Sequence, residues 1–114
     1  MPTTEMVLPT VLESTYIVLW EFQVKAGCEA EFMAAYGPDG EWARLFRRSP
    51  EFLGVELLGS VGNASRFFTL DHWCSASAMD MFMSANATAY DVLDRRFTSL
   101  TVGKRRIGGF PTDA

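Results

Sequence analysis

The residues from Tyr16 to Val24 alternate as a strand does, yet both of its faces are apolar. Tyr16, Val18, Trp20, Phe22 and Val24 share one side, while Ile17 and Leu19 share the other with Glu21 and Gln23. Residues 66–73 repeat the pattern, with Phe67, Thr69, Asp71 and Trp73 opposite Arg66, Phe68, Leu70 and His72. An open antiparallel sheet normally keeps its solvent side polar. Ile17, Leu19, Phe68 and Leu70 therefore predict a greasy patch that needs a cover. The helical segments suffice for one face only, so a second copy of the chain is the simplest cover for the other.

Between and beyond these strands the period changes. A helix is predicted from about Glu29, with Phe32, Met33 and Tyr36 on one stripe. Gly37-Pro38-Asp39-Gly40 interrupts it, because proline lacks a donor and glycine disfavours helix. A second short helix over 41–48 turns Trp42, Leu45 and Phe46 inward and Arg44, Arg47 and Arg48 outward, and Ser49-Pro50 stops it. Residues 52–59 read as a strand, joined to the one at 66–73 by a turn at Val61-Gly62-Asn63-Ala64. Ser75 or Ser77 then caps a helix, and Ser77 with Asp80 has the capping-box spacing. Its stripe of Met79, Phe82, Met83, Asn86, Tyr90, Leu93 and Phe97 predicts one helix, and a strand over about 100–110 closes the domain.

Strand, helix, hairpin, helix, strand is the ferredoxin-like βαββαβ order, an α+β fold whose four-stranded antiparallel sheet carries both helices on one face. Two such sheets packed through their bare faces make a dimeric α+β barrel. The domain is expected at 15–110, with a leader at 1–14 and a tail at 111–114.

Composition narrows the function classes. A chain of 114 residues with 48% hydrophobic and 21% charged residues is expected to form one folded domain. Its net charge of −4 argues against a nucleic-acid partner. The one dense basic run, Lys104-Arg105-Arg106, reads as the solvated end of a terminal strand, with a carboxylate clamp as the alternative. Residues 1–14 carry Glu5 and Glu13 without Lys or Arg, unlike a secretory signal, and no apolar run is long enough for a membrane. A cytoplasmic protein without membrane contact is expected. Cys28 and Cys74 should then be free thiols, since they follow antiparallel strands and fall at opposite ends of the sheet. His72, the single histidine, has no cysteine or carboxylate at ligand spacing, so no metal is expected. The alternation puts it on the subunit-facing side, as an interface histidine with a polar partner.

From Tyr16 to Phe110 the chain resembles the antibiotic biosynthesis monooxygenase (ABM-like) family of dimeric α+β barrels. The likeness is carried by Trp20-Glu21-Phe22-Gln23-Val24-Lys25-Ala26-Gly27, by the segment from Tyr36-Gly37-Pro38 to Leu45-Phe46, and by Leu70-Asp71-His72-Trp73-Cys74-Ser75. It implies a ligand held between the helices and the helix-facing side of the sheet. The implied pocket is Trp20, Phe22, Thr69, Asp71 and Trp73, faced by Tyr36, Met79, Phe82, Met83 and Tyr90. Trp73 matches a pocket tryptophan of both the quinone-forming and the haem-degrading branches. Trp20 and Met83 stand where the haem-degrading branch has an asparagine and an iron-ligating histidine, which disfavours haem. Thr69 and Met79 replace an amide and a pocket tyrosine of the quinone-forming branch.

The resemblance thus implies a homodimeric, cofactor-independent monooxygenase for a small aromatic or polyketide-like substrate. Asp71 is the candidate acid/base, and Tyr36 and Tyr90 would orient the substrate's oxygen. A carboxylate buried beside Trp73 should have a raised pKa, as a base requires; the alternative is a carboxylate that pairs with an arginine or caps a helix. Two other functions fit the same residues: a non-oxidative cyclase or isomerase, and a small-molecule-binding or structural dimer without turnover. The methionines and Trp20 with Trp73 are either cavity walls or plain core.

Overall fold

Alternation and turn chemistry produce the expected strands in the structure, a computed structural model that describes residues 15–112. Strand β1 is Tyr16–Val24, β2 is Phe52–Ser60, β3 is Asn63–Trp73 and β4 is Thr101–Pro111. They form one antiparallel sheet in the order β2-β3-β1-β4. Gly62, at φ +86°, allows the tight Val61-Gly62 turn, so β3 starts three residues earlier than the apolar pattern suggested. Pro111, expected in the tail, still belongs to β4, and Thr112 donates its N–H to the Thr15 carbonyl beyond it.

Helix α1, Glu29–Tyr36, buries Phe32, Ala35 and Tyr36, while Met33 is 45% exposed and leaves the expected stripe. Two turns of helix present only a narrow face to the sheet, and Phe32 and Tyr36, one turn apart, occupy it. The break after Tyr36 is tight. A side chain at Gly40 would overlap the Ala35 carbonyl, so only glycine fits there. Arg44 and Arg47, expected merely to face solvent, donate to the carbonyls of Asp39 and Pro38 at 2.7 Å each and hold this turn. Helix α2, Glu41–Phe46, follows and buries Trp42, Ala43, Leu45 and Phe46. It ends two residues early, because the Arg48 N–H bonds the Leu45 carbonyl and tightens the last turn.

The second helical stretch is two helices, α3 at Ala76–Ala85 and α4 at Ala87–Phe97, and not the single one its stripe predicted. Asn86 is the reason. Its Nδ2 donates to the Phe82 carbonyl at 3.1 Å, alongside its own backbone N–H at 2.9 Å, and its backbone leaves the helical region. Ser75 supplies the N-cap, its Oγ accepting from the Ala78 N–H at 3.0 Å; Ser77, the other candidate, lies inside the helix. Ser75→Ala should cost about 1 kcal/mol in denaturant unfolding, and Ser77→Ala much less.

All helices cover one face of the sheet. Val18, Phe22, Val24, Phe67 and Trp73 meet Phe32, Tyr36, Phe46, Phe82 and Phe97 in one core. On the other face Ile17, Leu19, Phe68 and Leu70 are half-buried, and Leu58 and Phe110 are 47% and 46% exposed. On this face Glu21 accepts from Arg66 and Arg105 at 2.7 Å each, and His72 bonds Glu56 at 2.7 Å. The Arg105 and Arg66 hydrogen bonds hold the Glu21 carboxyl below its ordinary range. Cys28 and Cys74 are free thiols, and the pairing of Tyr16 with Trp73 puts them at opposite ends of the sheet.

Candidate functional site

Between sheet and helices lies a cavity of about 40 Å³, room for roughly three water molecules. Its sheet wall is Trp20 and Phe22 from β1, Thr69 and Asp71 from β3, and Val55 from β2. The helices add Tyr36 from α1, Trp42, Ala43 and Phe46 from α2, and Tyr90 and Asp94 from α4, and Lys104 of β4 completes the rim. The register explains the selection. Trp20 pairs with Thr69 and Val18 with Asp71, so these side chains emerge on the helix side together.

Asp71 is 9% exposed, and among the described residues no hydrogen bond or ion pair reaches its carboxyl. Among those residues it neither pairs with an arginine nor caps a helix, the following helix being capped by Ser75. Burial penalises its charged form and lifts its pKa from an ordinary 3.8 to about 7. Tyr36 and Tyr90 are also pushed up, each to about 12, chiefly by burial. Asp94 and then Asp71 add to the rise at Tyr90, so its phenol lies within the fields of both carboxylates. The Trp42 indole moderates the rise at Tyr36, yet its N–H makes no hydrogen bond of normal geometry and is buried without a partner. An orphaned donor buried beside an unpaired acid at one cavity is costly unless a ligand or water satisfies it.

The rim is polar. Lys104 pairs with Asp94, and its ammonium stands 5.9 Å from the Trp20 ring centroid. The arrangement sets a carboxyl with a pKa near 7 and two phenols that stay protonated at neutral pH against aromatic surfaces.

Of the expected site residues, Asp71, Tyr36, Tyr90, Trp20, Phe22 and Thr69 surround this cavity. Trp73, Met79, Phe82 and Met83 do not. Trp73 is 1% exposed and packs on Phe46, Phe52 and Phe82 at centroid distances of 5.5, 5.1 and 5.3 Å. Met79 and Met83 pack at the edge of the same core. Trp42 and Phe46, which periodicity assigned only to the interior, form the helical wall instead. Asp94 was legible as the residue one turn beyond Tyr90, and Lys104 as a helix-facing position of β4. Neither carried a motif. Among the described residues no group of three or more His, Cys, Asp or Glu could hold a metal ion, and no helix is long and apolar enough to cross a membrane.

The one-sided helical layer on a β2-β3-β1-β4 antiparallel sheet defines a ferredoxin-like α+β domain. Within that class, residues 15–88 match the antibiotic biosynthesis monooxygenase family, and the chain belongs to it. Solved structures agree on the fold. SnoaB, a cofactor-independent oxygenase from Streptomyces nogalater studied as its N63A mutant, superposes with a TM-score of 0.67 at 17% identity, covering 90% of this chain and 93% of its own. A protein from Shewanella oneidensis gives 0.64 at 17% identity, over 90% and 95% of the two chains. A candidate antibiotic biosynthesis monooxygenase from Bordetella bronchiseptica gives 0.65 at 16% identity, over 89% and 97%. No curated protein sequence matches the chain.

Proposed function

We propose that this protein is a cofactor-independent monooxygenase acting on a small aromatic or polyketide-like substrate with an acidic C–H. One observation carries the reading: a buried carboxyl with no partner among the described residues and a pKa near 7, facing a cavity that is walled by aromatic rings and that, at about 40 Å³, must widen to take a ring. Membership of the monooxygenase family supports it. Ionised Asp71 removes a proton from the substrate's CH2 carbon, and Tyr36 and Tyr90 donate hydrogen bonds to the oxygen on which negative charge develops. That carbon then bonds to dioxygen, and the resulting C–O–O⁻ takes a proton from the Asp71 carboxyl. Loss of the carbon's second proton breaks the O–O bond, leaving C=O and water. The substrate supplies all the electrons, so CH2 and O2 become C=O and H2O. In this account two copies of the chain cover each other's bare sheet face, where the half-buried Ile17, Leu19, Phe68 and Leu70 lie.

A non-oxidative cyclase or isomerase would use the same base and differ only in the fate of the anion. Oxygen uptake separates the two. With a panel of enolisable ring ketones and phenols, the protein alone should consume one O2 per substrate converted. Exchange of the acidic hydrogen with deuterated water but no oxygen uptake would favour the non-oxidative reading. The absence of both exchange and uptake would contradict an enzymatic role.

A further inference from the structure

The basic run Lys104-Arg105-Arg106 does not end in solvent as one unit; the strand alternation divides it. Arg105 pairs across the sheet with Glu21 and binds its carboxylate on the bare face. Lys104 and Arg106 stand opposite Phe22 and Trp20, and so belong to the helix-facing side that holds the cavity. Lys104 is part of the rim and is neutralised by Asp94. Arg106 forms no ion pair among the described residues. Its one polar contact there is a long one, from Nη2 to the Tyr16 hydroxyl at 3.4 Å. Its charge is nonetheless felt at Tyr90, where it opposes the rise in pKa. With Asp71 ionised the two cations are matched by two carboxylates, Asp94 at the rim and Asp71 within the cavity, but Arg106, exposed and not itself a lining residue, has no counter-ion of its own among the described residues.

We propose that the substrate carries a carboxylate, which the Arg106 guanidinium grips at the rim while Lys104 assists and the ring lies along Trp20. This rests on the reading above, in which Asp71 is the base for an aromatic or enolisable ring. An unpartnered guanidinium suits a singly charged anion, and its planar fork matches two carboxylate oxygens. Anchoring at the rim keeps the substrate's charge in water and away from Asp71, whose ionisation a nearby anion would oppose. Arg106 is then a specificity residue, and Lys104–Asp94 is a pair that must partly open for the anion.

The test uses 2-naphthoate and its neutral isostere 2-naphthamide as probes in calorimetric titration at pH 8. The wild-type protein should bind the carboxylate at least about tenfold more tightly. Arg106→Gln should erase that preference while leaving amide affinity in place. Asp94→Asn should strengthen carboxylate binding by freeing Lys104, an effect that a merely structural ion pair would not give. Because Arg106 is exposed on an edge strand, its replacement should fold; if it does not, Lys104→Met must lower the preference in its stead. Equal binding of the two probes, or a preference that survives Arg106→Gln, overturns the carboxylate assignment and leaves the Asp71 reading standing. Failure of both probes to bind at millimolar concentration overturns the assignment together with the idea of an open aromatic site.

Discussion

Replacing Asp71 with asparagine should make the protein more stable at pH 8 while abolishing most of its turnover. The folded state holds this carboxyl at a pKa near 7, against about 4 in the unfolded chain. Between those values the native state binds more protons than the unfolded one, so stability falls as pH rises through that window and levels off above it. The ionised form costs the folded state roughly 4 kcal/mol. Asparagine has the same shape and no charge to desolvate, so its unfolding free energy should lack this decline and exceed that of the wild type at pH 8. Turnover should fall by ~10²-fold or more, because the amide cannot take the proton, while ligand binding survives. Unfolding of the variant would instead mark Asp71 as a structural partner, and unchanged turnover would place the base elsewhere. Denaturant titrations at pH 4.5, 6 and 8 with parallel oxygen-uptake assays read both effects.

Leu70→Glu should convert a dimer into a folded monomer. Leu70 lies on the bare face of β3 between Leu19 of β1 and Glu56 of β2. In a face-to-face dimer the new carboxylate would be buried without a counter-charge once per subunit, which costs several kcal/mol and weakens association more than ~100-fold. The helix-facing core does not touch this position, so far-UV circular dichroism should change little. Light scattering at micromolar concentration should give two chains for the wild type and one for the variant. A wild-type monomer would contradict the dimer.

The fold was legible because its signals are periodic and local. Apolar residues on both faces of β1 and β3, glycine at the hairpin and proline after each short helix fixed the element order. What escaped was competition for hydrogen bonds that periodicity does not register. Asn86 continues the apolar stripe, yet its side chain and its own N–H share the Phe82 carbonyl while its backbone turns out of the helical region, which splits the helix. Ser77 has the capping-box spacing, but the chain is already helical there and Ser75 holds the extended backbone a cap needs. The site was half legible for the same reason. Alternation placed Trp20, Phe22, Thr69 and Asp71 on one wall, because a strand fixes its faces. Which of Trp73, Phe82 and the methionines would fill the core, and which of Trp42 and Phe46 would border empty space, depends on how whole helices pack. No spacing encodes that.

Carbon-13 NMR titration of the aspartate side-chain carboxyls, with Asp71 assigned by its loss in Asp71→Asn, tests the central claim most directly. The account predicts that the Asp71 carboxyl titrates near pH 7 and returns toward the ordinary range in a variant that opens the cavity to water, such as Trp20→Ala. A carboxyl at position 71 that titrates near pH 4 in the wild-type protein would mean that it is solvated or paired, and no longer a poised base.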